Sequence, residues 1–357
     1  MTHPETGIPR DHRYVILTQG ATHPTPAKTA AGMLRYRREA VVALLDSEQA
    51  GRDAGELMGA GAGVPIIATL QEAVHLGANA LLIGVAPAGG ELPLAWRAIL
   101  VEAIRGGLDI VSGLHLFLSE DAEFRRLAAA HRVRLIDLRR TPQELGVNRC
   151  RAAKQPNLRI HTVGSDCNCG KKIAALEIDA ALRRRGLKST FIATGQTGIL
   201  ISGRGIAMDR VISDFVAGAA ERLVLEAAGC DYLVIEGQGA LTHPLYGGVT
   251  LSMLYGFAPQ LLVLCHPAER KILRGTPDTP IPPLPELIAL YEAVARPVFP
   301  AKVIGVALNL MAFAEEKARA EVERVEKELK LPVTDVIRFG AEKLVEAILA
   351  RQAANPE

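Results

Sequence analysis

The residue types best suited to anion chemistry lie together in one stretch, Gly164-Ser165-Asp166-Cys167-Asn168-Cys169-Gly170-Lys171-Lys172. A strand-like run from Leu158 to Val163 precedes it, and a helix-like run from Ile173 to Arg185 follows. A glycine-rich turn in that setting aims backbone N–H groups and a helix N-terminus at one point, and Lys171 adds a point charge; the implied chemistry is phosphate binding. The loop departs twice from the common phosphate-binding pattern. Five residues rather than four separate Gly164 from Gly170, and Lys172 stands where Ser or Thr ordinarily holds Mg²⁺. Such a cradle has lost its metal handle. Cys167, at a helix N-terminus beside Lys171, is expected to have a depressed pKa and so to be a possible nucleophile. Cys167 and Cys169 have no second cysteine pair to complete a zinc site, and His161 lies inside the preceding strand, so no metal is expected.

Three further motifs carry chemistry. Residues 231–244 read as an apolar strand that delivers Glu236 to its carboxyl end, followed by Gly237, Gln238 and Gly239. The glycines allow a ligand to approach the backbone closely. Glu236 is therefore the first candidate for a base and His243 the second, and Glu236 is expected to face Lys171. Residues 193–210 set Gln196, Thr197 and Arg204 among four glycines, as suits recognition of a small anion. The segment reads as a loop that brings Arg204 and Asp209 to the next helix, with Arg210 either an exposed first-turn residue, the preferred reading, or a ligand contact. The strand 303–308 ends in Asn309, whose amide either reads an adenine edge or forms a turn. A weaker glycine loop, Gly84–Gly90, lies between a strand and a helix, and either contacts a ligand or only makes a tight turn.

The elements that must position these groups alternate. Strands are expected at 14–18, 40–45, 65–68, 80–85, 109–112 and 134–138, with helices at 92–105 and 121–131 between them. After an aperiodic stretch at 141–156 the alternation restarts. Strands are expected at 157–163, 188–194, 231–236, 260–265, 302–308 and 333–337, and helices at 171–185, 209–228, 285–295, 312–329 and 340–352. Alternation of this kind predicts parallel sheets covered by helices on both faces. The fold class is α/β: a Rossmann-like N-terminal domain at 1–150, then a P-loop-like doubly wound domain at 151–357.

Composition excludes several classes. Of 357 residues, 49% are hydrophobic, 22% charged and only 4% aromatic, which describes a globular chain with an aliphatic core. A net charge of +2 and basic clusters without interleaved aromatics give no reason to expect nucleic acid. The first residues lack the apolar core of a signal peptide, and no apolar run approaches the roughly 20 residues of a membrane helix. Five scattered cysteines fit free thiols in a reducing cytoplasm. The expected form is a cytoplasmic homo-oligomer.

The loop 164–171 together with Glu236-Gly237-Gln238-Gly239 resembles the dethiobiotin synthetase branch of P-loop proteins, which place a late strand-end Asn beside adenine. Over nearly the whole chain, residues 193–207, 214–221 and 236–244, with 83–90 and 112–115, resemble a two-domain family of D-glutamate N-acetyltransferases. That resemblance implies acetyl transfer from acetyl-CoA to D-glutamate or a related amino acid. It also implies a racemase-like partner that acts on the N-acetyl product. The cradle, Gly164 through Lys172, would hold the phosphates of the donor without a metal, with Asn309 beside the adenine. Glu236 or His243 would act as base, Gln196, Thr197 and Arg204 would clamp the substrate carboxylates, and the amides of Gly237, Gln238 and Gly239 would stabilise the oxyanion. Relay through Cys167 is a variant of this route. The alternatives are an ATP- and Mg²⁺-dependent ligase or kinase of the dethiobiotin synthetase type, with Asp166 and Glu236 on the metal, and a non-catalytic nucleotide sensor.

Overall fold

The computed structural model describes residues 7–85 and 92–354. They form two compact units. The first runs to Thr141 and also takes in Gln196–Arg210; the second comprises Pro142–Gly195 and the chain from Val211 onwards.

In the first unit the order is β1 (Tyr14–Leu17), α1 (Lys28–Tyr36), β2 (Val41–Leu45), α2 (Ala54–Met58), β3 (Ile66–Ile67), α3 (Leu70–His75) and β4 (Ala80–Ile83). Then come α4 (Leu94–Arg105), β5 (Asp109–Ser112), α5 (Ala122–His131) and β6 (Leu135–Asp137). All pairings are parallel, in the order β3-β2-β1-β4-β5-β6. This is the Rossmann order, whose switch point lies between β1 and β4. Every residue of β1, β4 and β5 is buried, as expected of strands covered on both faces. The sequence reading lacks α1, α2 and α3; α2 and α3, of 5 and 6 residues, are too short to show a periodicity. The start of α3 is nevertheless written in the chain, because Thr69 and Glu72 form a capping box.

The second unit contains β7 (Leu158–Gly164), α6 (Lys171–Arg184) and β8 (Ser189–Ile192). The chain then passes through α7 (Gln196–Ser202), which belongs to the first unit, and returns as α8 (Ser213–Glu226). There follow β9 (Tyr232–Ile235), α9 (Gly247–Phe257), β10 (Leu261–Pro267), α10 (Leu284–Ala295), β11 (Lys302–Asn309), α11 (Glu315–Leu329), β12 (Val333–Thr334) and α12 (Glu342–Ala354). The parallel order is β12-β11-β10-β7-β9-β8, so β7 sits in the middle and the loop after it emerges at the centre of the carboxyl edge. Leu254, Leu264, Tyr291, Val306 and Val322 are among the side chains that fill the core between sheet and helices. No helix among the described residues is long and apolar enough to cross a membrane.

Two departures from the sequence reading have clear causes. Residues 196–202, read as loop because of their glycines, form α7, and the helix expected from 209 starts at Ser213. Helix α9 is missing from the sequence reading because Gly247, Gly248 and Gly256 look like loop residues. Gly256 is there for packing: a Cβ at this position would lie 2.2 Å from Ala217 O on α8. The aperiodic crossover is pinned to α8 in the same manner. Gly218 leaves room for Gly146, and the fully buried Glu221 carboxylate accepts from the amides of Arg149 and Arg151 and from the Arg151 guanidinium.

Candidate functional site

The loop between β7 and α6 curls tightly over its own lysine. Asn168 (φ 48°) and Gly170 (φ 107°) supply the left-handed backbone that reverses the chain before Lys171 begins α6. A Cβ on Gly164 would lie 2.7 Å from Cys169 Sγ and 2.8 Å from Lys171 Nζ, so only glycine fits beneath the loop. Lys171 is buried and donates from Nζ to Asp166 O at 2.7 Å and to Cys169 Sγ at 3.4 Å. Tyr291 fixes the start of the loop by donating to Gly164 O at 2.8 Å. Ser165 is buried, with Oγ 2.8 Å from His266 Nδ1, and Lys172 is half-buried.

Asp166 organises the loop. One oxygen accepts from the Cys167 amide at 2.6 Å; the other accepts from Arg270 Nη1 at 2.7 Å and from the Arg274 amide at 3.0 Å. Burial opposes the charged form, but these donors and the Arg270 charge hold its carboxyl below the usual range. The Cys167 thiol behaves contrary to the sequence expectation. Burial and the adjacent Asp166 raise its pKa, and the Lys171 ammonium points at Cys169 instead. Cys167 is therefore a poor thiolate, which weakens the relay variant. His243 is also buried: its Nδ1 accepts from the Leu245 amide at 3.2 Å, which leaves the hydrogen on Nε2, 3.0 Å from Arg274 O. Ligand atoms of Asp166, Cys167 and His243 come within 4.8 Å of one another, but in this tautomer His243 offers that cluster a proton and not a lone pair.

Glu236 follows β9 on the same edge and is buried. Its Oε2 accepts from the amides of Thr194 (3.0 Å) and Gly195 (3.2 Å), just beyond β8, and Thr194 Oγ1 donates back to Glu236 O at 2.8 Å. The next residue, Gly237, lies against the lysine stem, its hypothetical Cβ 2.9 Å from Lys171 Cδ. The Gly237 amide donates to Thr162 Oγ1 at 3.0 Å, so of the three amides expected to stabilise an oxyanion this one is already committed. Gln238 Nε2 donates to Thr194 Oγ1 at 3.1 Å, and Gly239 adopts φ 58° beneath Tyr246. Asn309 ends β11 with Oδ1 accepting from the Met311 amide at 3.2 Å, the turn-forming geometry.

The other expected substrate residues lie in the first unit. Thr197 Oγ1 is 2.9 Å from Thr29 Oγ1 in a buried contact, and Gln196 packs where a Cβ on Gly113 would meet its Cγ at 2.8 Å. Arg204 is half-buried, its carbonyl accepting from Ser202 Oγ at 2.7 Å. Of the glycine loop Gly84–Gly90, residues 86–90 fall outside the described residues; Gly84 itself serves packing, since a Cβ there would lie 2.4 Å from Ile16 Cγ2. Sequence reasoning missed Thr162, Thr194, Gly195 and Arg270. Thr194 and Gly195 lie inside the 193–210 motif, but nothing local ties them to Glu236; Thr162 and Arg270 carry no local signal, because each acts on a residue far away in the chain.

His161, on β7, shows what this core costs. It is buried with neither ring nitrogen hydrogen-bonded among the described residues, packed edge-on to Phe257. Burial, helped by the Lys171 charge, brings its pKa down to about 3, and burial takes His266 to about 4. Unfolded histidines bind a proton near pH 6.5, so stability is full above that pH and falls as pH drops towards the folded values. Buried carboxylates lose their contribution only below about pH 4. Urea unfolding of His161→Leu is therefore expected to show a shallower loss of stability between pH 6.5 and 4.5 than the parent chain. An unchanged slope would mean that His161 is solvated in the native state.

A Rossmann-ordered unit followed by a P-loop unit, with a lysine-bearing glycine loop beside a strand-end glutamate, defines the class: a two-domain α/β protein. Residues 47–141 match a family described as a domain of unknown function (DUF1611_N), Rossmann-like domain. Residues 146–345 match its companion, a domain of unknown function (DUF1611_C), P-loop domain. The chain belongs to the DUF1611 family. A D-glutamate N-acetyltransferase of Tritonibacter scottomollicae is 37% identical over 339 residues, 94% of this chain and 98% of that protein. One from Pseudoalteromonas sp is 38% identical over 275 residues, 77% of this chain and 82% of the other. The crystal structure of a DUF1611 family protein from Anabaena variabilis superposes with a TM-score of 0.90 at 37% identity, covering 95% of this chain and 99% of that one. With relatives of that reach, the chain is an enzyme of the acyltransferase class.

Proposed function

We propose that this enzyme moves the acetyl group of acetyl-CoA to the amine of D-glutamate, or of a closely related acidic amino acid, by direct attack on the thioester. The observation that carries the proposal is the anchoring of Glu236 by the Thr194 and Gly195 amides beside the lysine cradle, in a chain similar over 94% of its length to a D-glutamate N-acetyltransferase. The donor's phosphates occupy the Gly164–Lys172 loop, held by amides, Lys171 and Lys172, with Asn309 towards the adenine. No phosphoryl group is transferred, so a metal to spread charge on a leaving phosphate is not required.

In the reaction, Glu236 removes a proton from the substrate ammonium. The freed amine attacks the carbonyl carbon, and the Gln238 and Gly239 amides receive the oxyanion. As the intermediate collapses, the C–S bond breaks and coenzyme A departs as the thiol with a second proton from the nitrogen. Glu236 is preferred to His243 because both nitrogens of the buried imidazole are engaged by backbone groups. The substrate carboxylates are assigned in this proposal to Gln196, Thr197 and Arg204. Purified enzyme incubated with acetyl-CoA and a panel of D- and L-amino acids, with free thiol followed, is expected to respond to D-glutamate above all. Thiol release only with ATP and Mg²⁺ present, or with no amino acid at all, would defeat the proposal.

A further inference from the structure

We propose that the carboxyl edge of the first sheet carries a carboxylate subsite for the acceptor, in which Arg210 takes the side-chain carboxylate of an acidic amino acid beside Arg139 and His115. This rests on the acyl transfer proposed above and names the residues that would select an acidic substrate. The chain beyond β5 brings Gly113, His115 and Phe117 to that edge, and the chain beyond β6 brings Arg139. Open parallel sheets bind their ligands at this edge.

The charges there are unevenly satisfied. Arg139 is buried, with Nε donating to Gly113 O at 2.7 Å and Nη1 bound to the Asp209 carboxylate. Arg140 is bound to Glu120 and to Ser119 Oγ. Arg210 has its guanidinium 4.9 Å from the centre of the Phe117 ring, and no carboxylate pairs with it among the described residues. Asp137, at the end of β6, is taken up by the Leu118 and Ser119 amides, so of the three arginines Arg210 is the one whose guanidinium no carboxylate meets among the described residues. Stacking on an aromatic face orders the planar guanidinium while its edge stays available for a bidentate contact. His115 stands among these groups. Burial first, then the Arg139 and Arg210 charges, lower its pKa against the opposing pull of Asp209, so it is neutral and can donate one hydrogen bond. Arg210 also ends the 196–210 segment, which holds Gln196, Thr197 and Arg204, so one stretch of chain supplies both sets of acceptor contacts.

The test is steady-state kinetics of the wild type, Arg210→Ala and Arg210→Lys, varying D-glutamate and acetyl-CoA in turn, together with calorimetric binding of D-glutamate and glutarate. Arg210 is exposed, so the variants should fold, and thermal melting checks this. Arg210→Ala is expected to raise the D-glutamate KM about tenfold or more without moving that of acetyl-CoA, as loss of a charge-assisted pair would. Lysine should recover part of the loss, and preference for D-glutamate over D-alanine should shrink in proportion. A rise confined to acetyl-CoA would assign the cluster to the donor's phosphates, and unchanged constants would make Arg210 an ordinary surface residue; either overturns the subsite. If the wild type acetylates no amino acid, the proposed reaction fails, while calorimetry still decides the subsite by whether D-glutamate binding is present and is lost in Arg210→Ala.

Discussion

Glu236→Gln is expected to reduce kcat for acetyl transfer by about a thousandfold while the acetyl-CoA KM stays within about threefold, the pattern of a lost general base. Glutamine keeps the volume of the side chain and still offers an oxygen to the Thr194 and Gly195 amides, but it cannot take the ammonium proton. The two amides are what make the prediction sharp. They fix the carboxylate at the end of β9, so the substitution removes chemistry without removing position. Steady-state kinetics at saturating D-glutamate reads both constants. A kcat within tenfold of the parent would take Glu236 out of the proton-transfer step. A large rise in the acetyl-CoA KM would place it in donor binding.

The ligase alternative makes a different demand on the same loop, since it needs Asp166 and Glu236 to share a Mg²⁺. The oxygens of Asp166 are turned to the Arg270 guanidinium and to the amides of Cys167 and Arg274, and Oε2 of Glu236 to the amides just beyond β8. A guanidinium thus stands on the acid that the ligase reading would assign to the metal. Asp166 serves to shape the loop, and Lys172 fills the position from which a hydroxyl would have completed the metal's ligands.

Much of this was legible in the chain, for identifiable reasons. The strands are short, apolar and bounded by turn residues, and both sheets are parallel, so the alternation of periods gave the α/β class. The tight turn from β7 into α6 was legible because Gly164, Gly170 and Lys171 act within a few residues of one another. Features that depend on distant partners were not. The thiolate expectation for Cys167 rested on a helix end and a lysine nearby in sequence, but the chain folds the lysine away towards Cys169 and leaves Cys167 beside the Asp166 carboxylate. The Gly237 amide looked available in the motif, yet the hydroxyl of Thr162 on the next strand takes it. Helix α7 was read as loop because glycine count, taken alone, cannot distinguish flexibility from close packing against Gly113 and Thr29.

Gly237 provides the sharpest structural test of how sheet and cradle are joined. A Cβ at this position would fall 1.8 Å from Thr162 O and 2.9 Å from Lys171 Cδ. The first of these atoms belongs to the backbone of β7, which β9 and β10 grip from both sides, so it cannot give way cheaply. Gly237→Ala should therefore cost about 3 kcal/mol or more, the range of severe overpacking. The folded fraction should bind coenzyme A about tenfold more weakly or worse, because the proposed reaction assigns the donor's phosphates to the displaced lysine. Gly248→Ala is the matched control: it lies in α9 with nothing within 4 Å of a Cβ, and should be neutral or stabilising by about 0.5 kcal/mol. Urea unfolding and calorimetry with coenzyme A read both substitutions. If Gly237→Ala were as stable as Gly248→Ala, the strand carrying Glu236 would not be pressed against β7 and the lysine stem, and the coupling of base to cradle would lose its physical basis.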